Sequence, residues 1–501
     1  MSEKTQKNKI ISSIIWKLLE RFGVQGIQFI LQIILARLLS PNHYGVLSIM
    51  IVFTSLANVF VQNGFNTALI QNKDTDDDDY SSVLWVSLAI AAVFYALIYF
   101  AAPMIATFYE MPDIVAPFRV LALMLFPGAF NSIQIAKVRR NMDFRKIFFS
   151  NIGAIVISGI VGVFIALYGG GIWALVAQNI INVVMVSIIM FFTVRWYPKL
   201  VCRKERVKVL FSFGWKILVA SLIDAIYQDI RSLVVGKKYD AGTLGYYNRG
   251  RQFPQLIIGI VDGTVKTVMF PALSAKKDNR SEMKSLMRNS MVTSAYLVFP
   301  MMAGLAGIAA PLVELLLTDK WLPCVPYLQI YCFSLAFHPV HNCNLQAINA
   351  TGRSDIFLKL EIIKKIIGIS ALIVAVFCFD SPIAIAMTGA ITTLISCFVN
   401  AFPNKKLINY SYFEQMKDIL PSFIVSLVML GAVLAVGQLP IAPILLLLVQ
   451  LIVGVIIYAA LSAIFRLHGF TILMNVVKSF IKKGKNNGSD KRTDIEVSSK
   501  G

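Results

Sequence analysis

Charged residues are scarce in this chain. Asp, Glu, Lys and Arg make up 15% of 501 residues, against about 25% in soluble domains. That scarcity excludes a disordered, self-solvating chain. Cysteine is limited to six residues with no CxxC pair, which excludes a secreted disulfide scaffold, and the six read as small hydrophobes in apolar stretches. Four histidines at unrelated spacings build no metal site. GxxxxGK[ST], HExxH and GxSxG are all absent, so no internal ATPase, zinc protease or serine hydrolase is expected. The segment after Lys4, Lys7 and Lys9 runs through Glu20, Arg21 and several glutamines without a small-residue cleavage site, so no removable signal peptide is expected.

What is present is hydrocarbon. AVILMFWYC residues make up 57% of the chain, and the mean hydropathy is +0.70. Stretches such as 83–103, 152–168, 172–194, 423–436 and 445–465 carry few charges, and about 20 apolar residues cross a bilayer core of roughly 30 Å. The pattern predicts an all-α polytopic membrane protein of about fourteen transmembrane helices. Their windows are 12–38, 43–71, 81–108, 114–137, 148–168, 172–194, 207–236, 250–275, 289–316, 324–349, 357–379, 382–402, 416–437 and 441–465. Runs of this length exceed the roughly 9–11 residues of a barrel strand.

The net charge of +20 fits this reading better than nucleic-acid binding. Most of the 47 Lys and Arg fall on the N-terminus, the even-numbered connectors and the C-terminal tail, with the richest connectors at 137–146, 195–208 and 276–288. Cytoplasmic loops gather such residues, so both termini are expected in the cytoplasm. The acidic run DTDDDD at 74–79 lacks the glycine and glutamate of a calcium loop, with Asp79 and Trp85 at those positions. It reads as a solvated loop that places carboxylates at the start of the third span.

The chain also repeats itself. Trp16-Lys17 matches Trp215-Lys216, Asn63-Gly64 matches Asp262-Gly263, and Gly45 matches Gly245; further along, Gln134 and Asp143 match Gln346 and Asp355. The order predicts two parallel six-helix bundles, 1–206 and 207–405, then two extra spans over 406–468 and a basic cytoplasmic tail over 469–501. Repeated halves are a transporter pattern with the substrate site between them.

Polar residues inside the spans locate that site. Lys17, Arg21, Gln25, Gln28 and Gln32 step by four, four, three and four along the first span, which places them on one helix face. Asp224, Gln228 and Arg231 do the same in the seventh, and the repeat aligns Gln25, Gln28 and Gln32 with Asp224, Tyr227 and Arg231. A Lys or Arg at the bilayer centre costs roughly 2.5–3.5 kcal/mol, so these stripes are expected to face a watery interior. Lys266 joins the set, one turn from Asp262 and placed to pair with it. Asp224, Asp229, Asp262 and Glu361 are the carboxylates that could couple proton or sodium movement. His338, Asn342 and Asn349 share a face of the tenth span with His341 beside it, a pattern expected of helix–helix hydrogen bonding.

Several segments, in order, resemble one family. They are ILARLLSPNHYGVLSI (34–49), NGFNTALIQNKD (63–74), FRVLALMLFPGAFNSIQIAKVRRNMDFRK (118–146), GGGIWALVAQNI (169–180), VVGKKYDAGTLGYYNRGRQFPQLI (234–257) and ATGRSDIFLKL (350–360). The chain is similar to the polysaccharide-exporter branch of the multidrug/oligosaccharidyl-lipid/polysaccharide (MOP) flippase superfamily. Within it the chain resembles Wzx-type O-antigen flippases and teichuronic-acid and colanic-acid exporters. The resemblance implies a bacterial cytoplasmic-membrane flippase, without enzyme activity or cofactor, working by alternating access around a cationic cavity. The implied substrate is a polyprenyl-pyrophosphate-linked oligosaccharide, with membrane lipids, a polysaccharide polymerase and glycosyltransferases as partners. Arg21 and Arg231 suit the pyrophosphate, and the glutamines suit sugar hydroxyls. Three other readings stand beside it: an ion-coupled multidrug antiporter, a lipid-linked peptidoglycan-precursor flippase and a non-transporting scaffold.

Overall fold

A computed structural model describes residue 16 and residues 23–71 and 75–475, and among these the chain is helical with no strand. Backbone amides in hydrocarbon have no water to bond, so each span satisfies its own as helix. Nine described helices are long and apolar enough to cross a membrane, or ten if the bent pair Lys204–Ser212 and Gly214–Lys238 counts as one span. The other expected spans fall on helices that are broken, carry charged residues or are only partly described. The protein is a multi-pass membrane protein.

The contacts divide the chain into two compact units, one running to Asn248 and including Leu316–Trp321, the other comprising Arg249–Leu315 and the chain from Leu322. The first holds α1 (Gln25–Leu38), α2 (Pro41–Gln71), α3 (Asp77–Tyr109), α4 (Val115–Ala122), α5 (Leu125–Arg140), α6 (Phe144–Leu167), α7 (Ile172–Val194) and α8 (Lys204–Lys238). It also holds the first turns of α9 (Ala241–Ser274). Here α6 packs on α7, α8 along α2, α5 against α2, and α1 against α6. The seventh span, α8, therefore lies in the first unit.

Two glycines matched by the repeat bring the starts of α2 and α9 together. A Cβ on Gly45 would lie 1.7 Å from the Ala241 carbonyl oxygen, and one on Gly245 would lie 2.1 Å from that of Pro41. Reciprocal contacts of this kind are the mark of a two-fold relation. Trp321, fully buried, stands edge-on to the neighbouring Tyr44 and Tyr246, at 5.3 and 6.1 Å. Its Nε1 donates to the Ala36 carbonyl at 2.9 Å. Lys320 Nζ donates to the Arg37 carbonyl at 2.7 Å, and Arg37 Nε donates to that of Leu316 at 2.8 Å, so cations cap helix C-termini in both directions.

The acidic run is less solvated than its composition suggests. Asp76 caps α3, accepting from the Asp79 amide at 2.8 Å, while the Asp79 carboxylate accepts from the Asp76 amide at 3.3 Å. Lys137 reaches Asp77 at 2.5 Å, Lys199 reaches Asp78 at 2.8 Å, and Arg203 bonds both Asp76 and Asp78. Arg206 bonds the Asp79 carboxylate with Nε and Nη2, at 3.2 and 2.9 Å, and Asp79 is only 1% exposed. Two of the lysine- and arginine-rich connectors thus close on the acidic run. An apolar cluster that includes Tyr80, Leu84, Ile133 and Trp196 lies beneath them.

The second unit holds the rest of α9, α10 (Arg280–Gly307), most of α11 (Ala309–Leu317), α12 (Val325–Ala336), α13 (His338–Ala350), α14 (Ser354–Cys378), α15 (Pro382–Ala401), α16 (Asn404–Ile408), α17 (Tyr412–Val436) and α18 (Pro443–Ile464). The last two spans pack on α10 through α17. A Ser411–Glu414 capping box starts α17, and Lys284–Glu414 (3.0 Å) and Arg288–Asp418 pairs tie it to α10. Fully buried Asn344, Gln415 and Asn404 exchange amide hydrogen bonds of 2.7–3.0 Å.

Two expected spans are broken. The fourth divides between α4 and α5, the tenth between α12 and α13 at Phe337. Pro127 and Pro339, which the Gln134/Gln346 alignment equates, open the second segment of each. Proline removes an amide donor and clashes with the preceding turn, so a helix start is its favoured place, although Pro103, Pro254, Pro271, Pro300 and Pro421 stand inside helices of this protein.

Candidate functional site

On α1 the buried face is Leu31, Leu35 and Ala36. Gln25 and Gln28 lie on the exposed face, and Gln32 is half-buried. Arg21 and Lys17 lie outside the described residues. On α8, Asp224 and Gln228 are exposed and Asp229 and Arg231 are half-buried. The Arg231 guanidinium lies 5.5 Å from the Tyr227 ring centroid, within cation–π range. Asp224, Gln228 and Arg231 share a helix face by spacing, and Asp229 stands off it. Both stripes belong to the first unit, on helices with different packing partners, α6 for α1 and α2 for α8. Such a face can bind a polar, anionic headgroup through amides and a cation.

The remaining expected site residues belong to the second unit. Lys266 lies on α9, its side chain outside what is described. Asp262, which the spacing places to pair with Lys266, is bonded across helices. Its Oδ2 lies 2.8 Å from His338 Nδ1, and its Oδ1 accepts from Asn342 Nδ2. Glu361 is held by Lys364 on its own helix at 2.5 Å, with Lys364 buried. His341 Nδ1 lies 2.7 Å from Asn400 Nδ2 on α15. Histidine and asparagine on α13 thus form the interhelical hydrogen bonds their spacing suggests. The Asp262–His338 partnership was not legible, because the two residues lie on different helices and nothing in local spacing joins them.

An apolar groove of about 510 Å³ runs between α10, α17 and α18, lined by Tyr296, Pro300, Gly304, Met429, Gln450 and Tyr458 among others. Tyr458 donates its hydroxyl to the Tyr296 carbonyl at 2.7 Å, and Gln450 Nε2 donates to that of Val433 at 3.0 Å. These bonds turn the Tyr458 hydroxyl and the Gln450 amide nitrogen onto backbone, and the rest of the wall is largely hydrocarbon.

Comparison with known proteins adds a family to this geometry. The succinoglycan biosynthesis transport protein ExoT of Rhizobium meliloti (strain 1021) is 23% identical over 421 residues, 84% of this chain and 83% of that protein. The teichuronic acid biosynthesis protein TuaB of Bacillus subtilis (strain 168) is 23% identical over 354 residues, 70% of this chain and 72% of that one. The solved structure of the lipid II flippase MurJ in an inward closed conformation has the same fold, with a TM-score of 0.71 at 17% identity, covering 91% of this chain and 98% of that one. Residues 34–326 match the family model described as polysaccharide biosynthesis protein. The chain therefore belongs to the polysaccharide biosynthesis protein family, in the exporter branch of the MOP superfamily that its motifs resemble.

Proposed function

We propose that this protein is a flippase that carries a polyprenyl-pyrophosphate-linked oligosaccharide repeat unit across the bacterial cytoplasmic membrane for surface polysaccharide synthesis. One observation carries the reading: relatives named for polysaccharide biosynthesis and transport align over most of both lengths. The polar faces of α1 and α8, in a chain otherwise made of hydrocarbon, support it. In this reading Gln25, Gln28, Gln32 and Gln228 read sugar hydroxyls. Arg231 with Arg21 holds the pyrophosphate by charge-assisted hydrogen bonds, Asp224 keeps Arg231 oriented, and Lys266 adds charge. The groove of α10, α17 and α18 takes part of the prenyl tail, its walls and volume suiting an isoprenoid segment. Both termini are cytoplasmic on the distribution of Lys and Arg. The six-plus-six repeat then exposes the polar face alternately to the two sides. The protein moves its substrate unchanged and is not an enzyme.

The test is flipping in proteoliposomes, with a matched polyprenyl-pyrophosphate oligosaccharide and accessibility of its sugar to an external glycosidase as the readout. Wild type should flip, and Arg21→Ala/Arg231→Ala should lose most of the activity. Equal activity in both would remove these arginines from the site and leave the flippase. No activity in wild type would favour the antiporter or scaffold reading.

A further inference from the structure

The second unit contains an acid–base pair within the expected membrane depth. Asp262 on α9 is 14% exposed and His338, the first residue of α13, is 29% exposed. Among the described residues the carboxylate meets the imidazole at 2.8 Å on one oxygen and the amide of buried Asn342 on the other. The His338 and His341 rings lie 5.6 Å apart. The helices packed around α13 carry further titratable groups: Arg280, Glu282, Lys284, Arg288 and Tyr296 on α10, Tyr327, Tyr331 and Cys332 on α12, Asp355, Lys359, Glu361, Lys364, Lys365 and Cys378 on α14, Cys397 on α15, and Lys405 and Lys406 on α16, with Cys343 on α13 itself. Lys266 follows one turn along α9.

The repeat argues that this cluster is not architecture. Asp262 aligns with Asn63, and the alignment of Gln134 with Gln346 places Phe126 and Phe130 opposite His338 and Asn342. The fourth and the tenth spans both divide shortly before a proline, yet at the aligned positions only the tenth carries the ionisable pair. A helix contact required by the break would be needed in both halves. An intramembrane ionisable pair found in one half is instead a candidate for proton binding.

We propose that Asp262 and His338 together bind the proton whose movement drives transport, with Asn342 holding the carboxylate in place. The inference rests on the flippase reading above and adds its driving ion. The pair has two charge states. With the proton on it, aspartate and imidazolium cancel, or the acid and neutral imidazole stand together, and the site is neutral. Without the proton the site carries one negative charge. A net charge is costly in a low-dielectric bundle, so the two states favour different degrees of hydration. A group of this kind loads a proton from one side and releases it to the other as exposure alternates. Histidine is the side chain whose charge changes between about pH 5 and 8.

The test uses the full chain in proteoliposomes. Oligosaccharide flipping and pyranine-detected proton movement are followed in the same vesicles, with and without sodium, for wild type, Asp262→Asn, Asp262→Glu and His338→Gln. Wild type should move protons with its substrate and flip faster under an imposed pH gradient. Asp262→Asn should lose the proton movement and the gradient stimulation of flipping. Asp262→Glu should recover part of the proton movement, and His338→Gln should change the pH profile of flipping. Monodispersity of each variant in detergent checks folding. Flipping without proton movement, flipping driven by sodium alone, or proton movement unchanged in both Asp262→Asn and His338→Gln would each overturn the inference and leave the flippase. Wild type that flips nothing would overturn the flippase reading and the coupling built on it.

Discussion

At the scale of single residues, the strictest demands fall on Gly45 and Gly245. A methyl group at either position would overlap a backbone carbonyl, which cannot swing aside as a side chain can. Overpacking typically costs about 1–3 kcal/mol, and contact with backbone places these sites at the upper end. Gly45→Ala and Gly245→Ala are each expected to lower the midpoint of thermal unfolding in detergent. Gly389→Ala, where nothing lies within 4 Å, should leave it unchanged or slightly raised; equal behaviour of all three would remove the close approach as a constraint. Arg206 is a different kind of demand. It is 38% exposed, but its partner Asp79 is buried, so its removal strands a carboxylate. Arg206→Ala is expected to cost roughly 1–3 kcal/mol, less than the 3–5 of a fully buried pair because water reaches the guanidinium. Arg206→Ala combined with Asp79→Asn should recover much of the loss. Arg203, whose partners are more exposed, should matter less to stability when truncated.

At the scale of elements, the start of α3 depends on charge. The Asp79 amide, then the Arg203 guanidinium, hold the Asp76 carboxyl below its ordinary range. A carboxyl lowered by folding contributes stability at pH values above its unfolded value of about 3.9, and loses it as pH falls through the folded value. The Asp76 contribution should therefore be constant from about pH 5 to 8 and disappear below about pH 4. Thermal unfolding of wild type and Asp76→Ala across that range measures it, and the difference between the two should shrink only on the acid side. A difference that grew on the acid side would contradict the assignment. The broken spans are the other lesson at this scale. Each window was visible as a hydrophobic run, but the turns at 123–124 and 337 were not. Proline permits a break without requiring one, and packing decides whether the second segment continues the first.

At the scale of the whole molecule, the two C-terminal spans are built onto α10 by ion pairs and a shared apolar cluster that includes Tyr296, Val425, Met429, Val433 and Tyr458, and α17 is tied to α13 by a buried amide pair. The groove they form has a specific consequence under the proposed function. Gly304 faces Met429 at an ordinary 3.7 Å from its would-be Cβ, so a larger side chain can be accommodated there without backbone conflict. Gly304→Leu should slow flipping of a full-length polyprenyl substrate severalfold, and slow that of a short-chain analogue much less. Equal slowing of both would assign the effect to stability and remove the tail from this groove.

Composition and periodicity alone determined the all-helical membrane class and the placing of the polar residues of the first and seventh spans on one helix face. These are local properties, since a run of apolar residues must bury its backbone bonds wherever it lies and a three- or four-residue spacing puts side chains on one face in any helix. Gln25, Gln28, Asp224 and Gln228 were readable for that reason. Only the tertiary structure decided that α8 packs along α2, that Arg206 reaches the buried Asp79, and that Asp262 meets His338. Partners so far apart in the chain are chosen by which helix faces pack together, and the free energy that selects them is shared among many contacts, none of which leaves a mark on the local sequence.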